Sequence, residues 1–325
     1  MIFVGPQQVR LGVILLVIFS IGIGLLSNYQ RLLRQYIGVK SGVKLEGQMI
    51  EGLLPQEVTE IVERMSEKIN HAPRNAVYFS ETGEVIPAKS GQRVNVSQSV
   101  KLICAAEPGT DLKLVVEKIP PRVPTSYFQA VYEGDKSLSK VGLAINVAWG
   151  EEHLPMILET LKREKVKATF FLVGAWVKQF PELVKQMADE GHELANHGLY
   201  HGHPLQMGKG DLQKLIAENA LLIHSLTKCK SVNLFGPPYG EVNQEVVNSA
   251  AALGYRTIMW TVDSVDWKNP DPGIMLTRIM KKIESGGIVL LHPTMPTKKV
   301  LGQMIHELRQ KGLEPGKVSL MLSNN

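Results

Sequence analysis

The chain has 325 residues, of which 44% are hydrophobic and 21% charged. This is the composition of an ordinary globular protein that is long enough for two domains with their own cores. The net charge of +5 is small and the basic residues are scattered, which excludes the clustered basic surface of a nucleic-acid-binding protein. Cys104 and Cys229 are far apart and outside any metal-binding spacing, so they predict two buried thiols.

The N-terminal region contains one long apolar run, Leu11–Leu26, with the sequence LGVILLVIFSIGIGLL. About 20 apolar residues span a bilayer, so residues 1–37 predict a membrane anchor, with a cleaved signal peptide as the alternative. Long domains that follow a single N-terminal span are exported largely regardless of flanking charge. We therefore expect a single-pass protein with most of its chain outside the cytoplasm and the membrane as one partner.

Residues 38–119 predict a small α+β domain. Short strand-like runs surround one amphipathic helix, whose apolar residues recur at helical spacing: Leu54, Val58, Ile61, Val62, Met65 and Ile69. The pattern G-x-x-x-x-G-L-x-P-x-E that begins at Gly47 resembles a peptidoglycan-binding module found beside cell-wall enzymes, and a spacer without a ligand is the alternative. Three prolines within Pro120–Pro124 predict a stiff linker over residues 120–140.

Residues 141–325 alternate between apolar strands and helices, which predicts an α/β domain with a parallel sheet. The predicted strands are Val141–Val147, Ala168–Gly174, His192–His197, Ser231–Gly236, Arg256–Val262 and Gly287–His292. The predicted helices are Leu154–Lys165, Pro181–Glu190, Asp211–Leu226, Gln244–Leu253, Pro272–Ile283 and Val300–Lys311. In such folds the functional residues lie where the strands end.

Chemically distinctive residues follow three of these strands. His197 and His201 are four residues apart, a spacing that allows both imidazoles to reach one metal ion. His292 ends the last strand, and the fifth strand ends at Asp263-Ser-Val-Asp266. An aspartate beside a histidine holds the imidazole in one tautomer and supports general-acid chemistry.

Four motifs occur in a recognisable order: HGLYH, FGPPYG, WTVDSVDW and VLLH. Their order and spacing over residues 141–325 resemble the NodB-homology polysaccharide deacetylases, carbohydrate esterase family 4. The resemblance implies a distorted (β/α) barrel in which a divalent metal, usually zinc, supports removal of N-acetyl groups from chitin-like or peptidoglycan sugars. It therefore implies a cell-wall polysaccharide as the partner.

The resemblance also assigns roles to individual residues. His197 and His201 would be metal ligands, and His292 would be the general acid, oriented by Asp263. The residues that it places in the substrate pocket, through the acetyl-binding walls and a backbone amide for the oxyanion, are Leu290, Trp267 and Tyr239.

Three positions depart from the family pattern. The first motif of the family is T-F-D-D-G, and here the general base falls on Ala148 and the third metal ligand on Trp149. The arginine that pairs with the base falls on Gly236. An arginine left without its carboxylate would be a costly unpaired charge, so these losses belong together. Two histidines alone predict weak or vestigial zinc binding, and the lack of a base removes most of the hydrolytic rate.

Three functional hypotheses follow. The first is a catalytically impaired deacetylase that binds peptidoglycan or a protein partner through its old cleft. The second is a slow deacetylase that uses a substitute group, with Glu151, Glu152 and His203 as candidates. The third is a structural membrane tether. The first motif, N-V-A-W-G-x-E, resembles the sporulation-associated deacetylase-like proteins of endospore-forming bacteria, which implies a role in sporulation.

Overall fold

The computed structural model describes residues 6–79, 81–228 and 232–322. Cys229 and Ser231, for which the sequence predicts a buried thiol and the start of a strand, lie outside them. The chain forms two compact units. One comprises Met1–Arg74 and Lys89–Pro121, and the other comprises Asn75–Ala88 and Arg122–Asn325. The unit boundaries thus differ from the predicted limits of 38–119 and 141–325, because residues 75–88 belong to the second unit.

The first helix, α1, covers Pro6–Ile37 and carries polar and basic residues at both ends, including Arg10 and Arg31. In the part of the chain that the structure describes, no helix has both the length and the apolar character needed for a bilayer crossing. The predicted membrane anchor in residues 1–37 is therefore wrong, and so is the single-pass localisation inferred from it.

The first unit has its own core. Helix α2 (Pro55–Ile69) buries the apolar stripe seen in the sequence and packs with helix α3 (Val96–Cys104). The guanidinium of Arg34 binds both carboxylate oxygens of Glu57 at 2.6 and 2.7 Å, which joins the end of α1 to the start of α2. The strands of the N-terminal region are β1 (Lys44–Leu45), β2 (Gln48–Met49), β3 (Val77–Phe79), β4 (Glu84–Ile86), β5 (Gly91–Val94), β6 (Asp111–Leu112) and β7 (Val116–Ile119).

In this unit β1 pairs with β2 and β6, and β5 pairs with β7. Strands β3 and β4 form an antiparallel hairpin that belongs to the second unit. The hairpin side chain of Tyr78 stacks on buried Phe128, with ring centroids 6.4 Å apart. This contact explains why a segment predicted for the small domain groups with the larger one.

The second unit is an α/β domain built on one parallel sheet, as the sequence predicts. Its strands are β8 (Lys140–Val147), β9 (Thr169–Leu172), β10 (Glu193–Asn196), β11 (Leu234–Phe235), β12 (Arg256–Thr257), β13 (Val262–Asp263), β14 (Ile288–Leu291) and β15 (Glu314–Gly316). The order along the sheet is β12-β11-β10-β9-β8-β14-β13, and β15 pairs with the start of β8. The sheet is a curled half-barrel, which is an open form of the expected distorted barrel.

Helices cover this sheet, so its central strands are buried on both faces. They are α4 (Leu154–Arg163), α5 (Gly174–Gln179), α6 (Pro181–Asp189), α7 (Lys209–Thr227), α8 (Gln244–Ala252), α9 (Pro272–Lys282) and α10 (Met295–Gln310). The core between sheet and helices contains Leu143, Ile145 and Phe170, all fully buried. Packing of this kind fixes the strand ends and therefore the side chains that follow them.

The predicted fifth strand, Arg256–Val262, is divided in two. Its first part forms β12 at one edge of the sheet, and its last residue begins β13 at the opposite edge. Between them, the Thr261 hydroxyl donates to the carbonyl of Tyr132 at 2.7 Å and accepts the Ile288 amide at 3.1 Å. One apolar run thus connects the two edges of the half-barrel.

From Arg122 onward, the predicted linker of residues 120–140 is a packed part of the second unit. A short 3-10 helix, Thr125–Phe128, places Phe128 in a small core with Val123 and Ala251. Val131 then bridges to Ile258 in a parallel register. The prolines do favour extended backbone, but the apolar residues among them bury their side chains, which a free linker would leave exposed.

Candidate active-site cleft

A cleft of about 490 Å³ opens at the carboxyl ends of the parallel strands. The residues to which the family resemblance assigns roles line it, apart from Gly236, whereas the suggested substitutes Glu151, Glu152 and His203 do not. The lining residues are Asn146, Ala148, Trp149, His197, His201, Tyr239, Gly240, Trp260, Asp263, Trp267, Leu290 and His292. Asn146 and Trp260 also line the cleft without having been predicted to do so, and their position near strand ends is the sequence signal that could have indicated it.

The strongest polar interaction at the cleft joins His292 to Asp266. The Nδ1 atom of His292 lies 2.8 Å from Oδ1 of Asp266, and the His292 amide donates to Oδ2 at 2.6 Å. The hydroxyls of Thr294 and Thr297 donate to the same Oδ2, at 3.3 and 2.6 Å. Asp266 is fully buried. Burial opposes its ionisation, but the hydrogen bonds from His292 and Thr297 outweigh burial, so the pKa of Asp266 lies below its ordinary value.

The predicted pairing of His292 with Asp263 is therefore wrong, and Asp266 takes that place. The reason is the turn between the two aspartates, where Val265 has a φ of +58°, in the left-handed region that β-branched residues rarely adopt. Oδ1 of Asp263 accepts the Val265 amide at 2.7 Å and so stabilises this turn. The turn directs Asp266 inward and leaves Asp263 facing the cleft.

The imidazoles of the two candidate metal ligands meet edge to face, at an angle of 68° and with ring centroids 5.2 Å apart. Nδ1 of His197 lies 2.6 Å from the carbonyl oxygen of Gly236, so it donates its proton there. This leaves Nε2 as an acceptor. Burial is the main cause that lowers the pKa of His197 to about 3, and burial also lowers the pKa of His201. Both imidazoles are therefore neutral at pH 7.

Tyr239 forms one wall of the cleft. Its backbone has a φ of +58°, and its ring lies between two histidines. The ring of His203 stacks on it in parallel and that of His201 meets it edge-on, each with centroids 4.3 Å apart. Nδ1 of His203 lies 2.8 Å from a carboxylate oxygen of Glu241. His203 is thus paired outside the cleft lining, which argues against it as a substitute base.

Trp149 stands where the family pattern has a metal ligand, and it is 45% exposed. Its ring stacks on that of His292, with the two ring planes nearly parallel at 6° and the centroids 5.9 Å apart. The next residue, Gly150, has a φ of +83° and lies against the carbonyl of Pro293, so no side chain fits there. The segment that follows β8 is therefore packed against the loop that carries His292. Trp149, in this segment, projects into the cleft.

Gly236 is enclosed by the sheet. A Cβ atom built at this position would lie 2.9 Å from the ring of Phe171, which is almost fully buried. Real Cβ atoms do not approach this closely, so the ring would have to move. Any side chain at position 236 would therefore require the ring of Phe171 to shift.

The residues present do not fit a resident metal. Among the described residues, no three His, Cys, Asp or Glu side chains are placed to hold one ion. Glu151 and Glu152, proposed above as substitutes, do not line the cleft. A catalytic zinc site normally has three protein ligands, and here only the two imidazoles are in position.

The half-barrel, the histidine pair and the His292–Asp266 pair define the class of protein. A family model described as polysaccharide deacetylase matches residues 133–258. The protein YlxY of Bacillus subtilis is 34% identical over 252 residues, which cover 77% of this chain and 78% of that protein. The chain belongs to the polysaccharide deacetylase family, carbohydrate esterase family 4.

Two further relatives bear on the cleft. A peptidoglycan-N-acetylglucosamine deacetylase of Bacillus cereus is 33% identical over 176 residues, 52% of this chain and 82% of that protein. The crystal structure of BA3943 from Bacillus anthracis, described as a pseudoenzyme of carbohydrate esterase family 4, is 34% identical. It covers 82% of this chain and 94% of that chain, with a TM-score of 0.60. A mutant of BA3943 is described as having restored enzymatic activity.

Zinc binding is expected to be weaker than micromolar, because His197 and His201 are the only two ligands in position within the described part of the chain. Isothermal titration of the purified chain with zinc measures this directly, with the His197→Ala variant as the control. Nanomolar, stoichiometric binding that His197→Ala abolishes would contradict the expectation and favour an active enzyme.

Proposed function

We propose that this chain binds cell-wall polysaccharide through the cleft and has lost most of its capacity to hydrolyse N-acetyl groups. The observation that carries the proposal is the replacement of the charged groups at the strand end by Ala148 and Trp149. The first removes the base, and the second puts an exposed aromatic ring where the third ligand would be. Hydrolysis loses its water-activating groups while the binding surface of the cleft is kept.

The remaining groups support binding more than turnover. In the pair of His292 and Asp266, the imidazole Nδ1 is held by a buried carboxylate, so Nε2 is directed toward the cleft. Such a group can donate a proton to a leaving amine. The position of the family's general base is Ala148, so this acid lacks the carboxylate that would activate the attacking water beside it.

Two facts support a polysaccharide as the ligand. Aromatic side chains line the cleft, and three of them are tryptophans out of four in the whole chain: Trp149, Trp260 and Trp267. Flat aromatic faces offer large, rigid apolar contact area to a sugar ring at low entropic cost. The named relatives include deacetylases of peptidoglycan, which makes a wall polymer built of amino sugars the first ligand to test.

Binding and turnover are measured together to test this function. Purified chain is sedimented with insoluble peptidoglycan, and acetate release is assayed on the same mixtures. We expect saturable binding with acetate release at least about a hundredfold below that of an active relative. Trp267→Ala should reduce binding about tenfold, since burial of an aromatic contact is worth 1 kcal/mol or more. Tyr132→Ala is the matched control, because Tyr132 is 51% exposed and lies outside the cleft lining.

Two results would overturn the proposal. Acetate release at the rate of an active relative would show that another group serves as the base. Absence of binding to peptidoglycan, with the folded state confirmed by circular dichroism, would remove the polysaccharide-binding role.

The same proposal includes a role in endospore formation. It is supported by the resemblance of the first motif, Asn146–Glu152, to the sporulation-associated members of the family. Deletion of the gene should lower the yield of heat-resistant spores, and a strain that sporulates normally would contradict this part.

A further inference from the structure

The cleft has an unusual balance of charge. Two of its lining residues replace charged groups of the family pattern with uncharged side chains, Ala148 and Trp149, and Gly236 beneath it replaces a third. No lysine or arginine is among the described residues that line the cleft, and Asp263 is the one carboxylate among them. A carboxylate in a concave, largely apolar site favours a cationic ligand group.

Asp263 is available for such a contact. Only its Oδ1 is engaged, by the Val265 amide at 2.7 Å, and within the described residues it has no ion pair. The buried carboxylate of Asp266, by contrast, is committed to His292 and two threonines. The guanidinium of Arg278, on helix α9, donates to the carbonyl of Ser264 at 3.3 Å. Asp263 therefore faces the cleft with an oxygen that no described side chain neutralises.

The aromatic walls favour a cation as well. Trp149, Tyr239, Trp260 and Trp267 surround the same space, and a cation near an aromatic face is attracted by the ring quadrupole. The ring of Trp267 already contacts a cation, since Nζ of Lys268 lies 4.9 Å from the ring centroid. An ammonium group placed between Asp263 and the remaining faces would gain both attractions.

We propose that the cleft recognises a hexosamine unit whose amino group is free and protonated, in preference to the N-acetylated unit. The ammonium would lie against Asp263, and the sugar ring would pack on Trp149. The chain would thus bind the product of N-deacetylation and mark glycan that other family members have already processed. This inference rests on the proposed polysaccharide-binding function and specifies its ligand.

Tryptophan fluorescence provides the test, because three of the four tryptophans of the chain line the cleft. The full chain is titrated with a β-1,4-linked glucosamine tetrasaccharide and with the N-acetylglucosamine tetrasaccharide, at a pH where the amine is protonated. We expect the deacetylated ligand to bind about tenfold more tightly, the size of effect that a partly exposed charge-assisted contact with a cation–π contribution supports. Raising the salt concentration should reduce the difference.

Two variants locate the effect. Asp263→Asn keeps an oxygen for the Val265 amide but removes the charge, and it should reduce the preference to less than about threefold. Asp189→Asn makes the same change of net charge at an exposed position at the end of α6, and its preference should equal that of the unmodified chain. An equal loss in both variants would refute the role of Asp263.

The possible outcomes distinguish a failure of this inference from a failure of the proposed polysaccharide-binding function. If neither tetrasaccharide binds, the polysaccharide-binding function fails and the inference fails with it. If both bind and the acetylated one binds equally or more tightly, the function stands and the preference for a free amine is wrong.

Discussion

Replacing Ala148 and Trp149 together by aspartate is expected to restore zinc binding and acetate release. The double variant would supply a base and a third ligand beside His197 and His201. We expect zinc affinity to rise to submicromolar and acetate release to exceed that of the unmodified chain by about a hundredfold or more. Titration calorimetry and an acetate assay on N-acetylated oligosaccharides measure the two effects.

The exposure of Trp149 makes this variant practical. The side chain is 45% exposed and contacts the ring of His292 at the cleft. Its removal therefore leaves open space and no buried cavity of the kind that costs 3–5 kcal/mol in a core. The variant should fold at ordinary temperature, with a melting temperature close to that of the unmodified chain.

The single variants and a neutral control define the mechanism of the restoration. Ala148→Asp alone provides a base without a held metal, and Trp149→Asp alone provides a ligand without a base, so neither should release much acetate. The double change to asparagine at both positions matches the size of the aspartates without their charge, and it should bind no zinc. A folded, zinc-loaded but inert aspartate variant would show that the cleft has diverged beyond these two positions.

Adding Gly236→Arg to the double variant should not help. The new Cβ would lie 2.9 Å from the buried ring of Phe171, and overpacking of this kind costs about 1–3 kcal/mol. We expect a lower melting temperature in the triple variant, with activity no higher than in the double variant. A triple variant that is as stable as the double variant and more active would show that the ring of Phe171 moves aside easily.

The sequence predicted the parallel α/β fold well, because apolar strands buried on both faces leave a strong and regular pattern. It also placed His197, Tyr239, Trp267, Leu290 and His292 in one cleft, since residues that follow parallel strands converge at one edge of the sheet. What it predicted less well were features that depend on single side chains packing across long sequence separations.

Asp263 and Asp266 illustrate the difference. Both follow the same strand three residues apart, and spacing alone gives no reason to prefer one as the partner of His292. The choice depends on the left-handed conformation of Val265, which no propensity of valine predicts. Asp266 is the partner of His292 because hydrogen-bond donors from distant parts of the chain converge on its carboxylate.

The predicted linker and the predicted N-terminal anchor failed for another reason. In both cases the composition of a short segment indicated one structure, while contacts or properties outside that composition gave another. Pro120, Pro121 and Pro124 predicted a stiff linker, but Val123 and Phe128 bury their side chains in the second unit. The apolar run at Leu11–Leu26 satisfied a length criterion, yet no helix in the described part of the chain meets the requirements for a membrane span.

Replacing Asp266 by asparagine is expected to destabilise the second unit by about 3–5 kcal/mol, because a buried, fully hydrogen-bonded carboxylate would be lost. Its two oxygens accept four hydrogen bonds, from the amide and Nδ1 of His292 and from the hydroxyls of Thr294 and Thr297. An asparagine presents an NH₂ group to some of these donors. Urea denaturation at pH 7 measures the loss, and Asp263→Asn, which keeps an acceptor for one backbone amide, should cost less than about 1 kcal/mol.

The pH dependence of the free energy of unfolding gives an independent test of the role of Asp266. Since the folded-state pKa of Asp266 is lowered, its ionised form contributes stability that is fully present above the unfolded pKa of about 4. This contribution is lost as the pH falls toward the lowered folded value, because the unfolded state then binds a proton that the folded state resists. The unmodified chain should therefore lose more stability between pH 7 and pH 3 than Asp266→Asn does. An equal loss in both would mean that other carboxylates govern the acid sensitivity, and that the hydrogen bonds to Asp266 do not hold its charge in the folded protein.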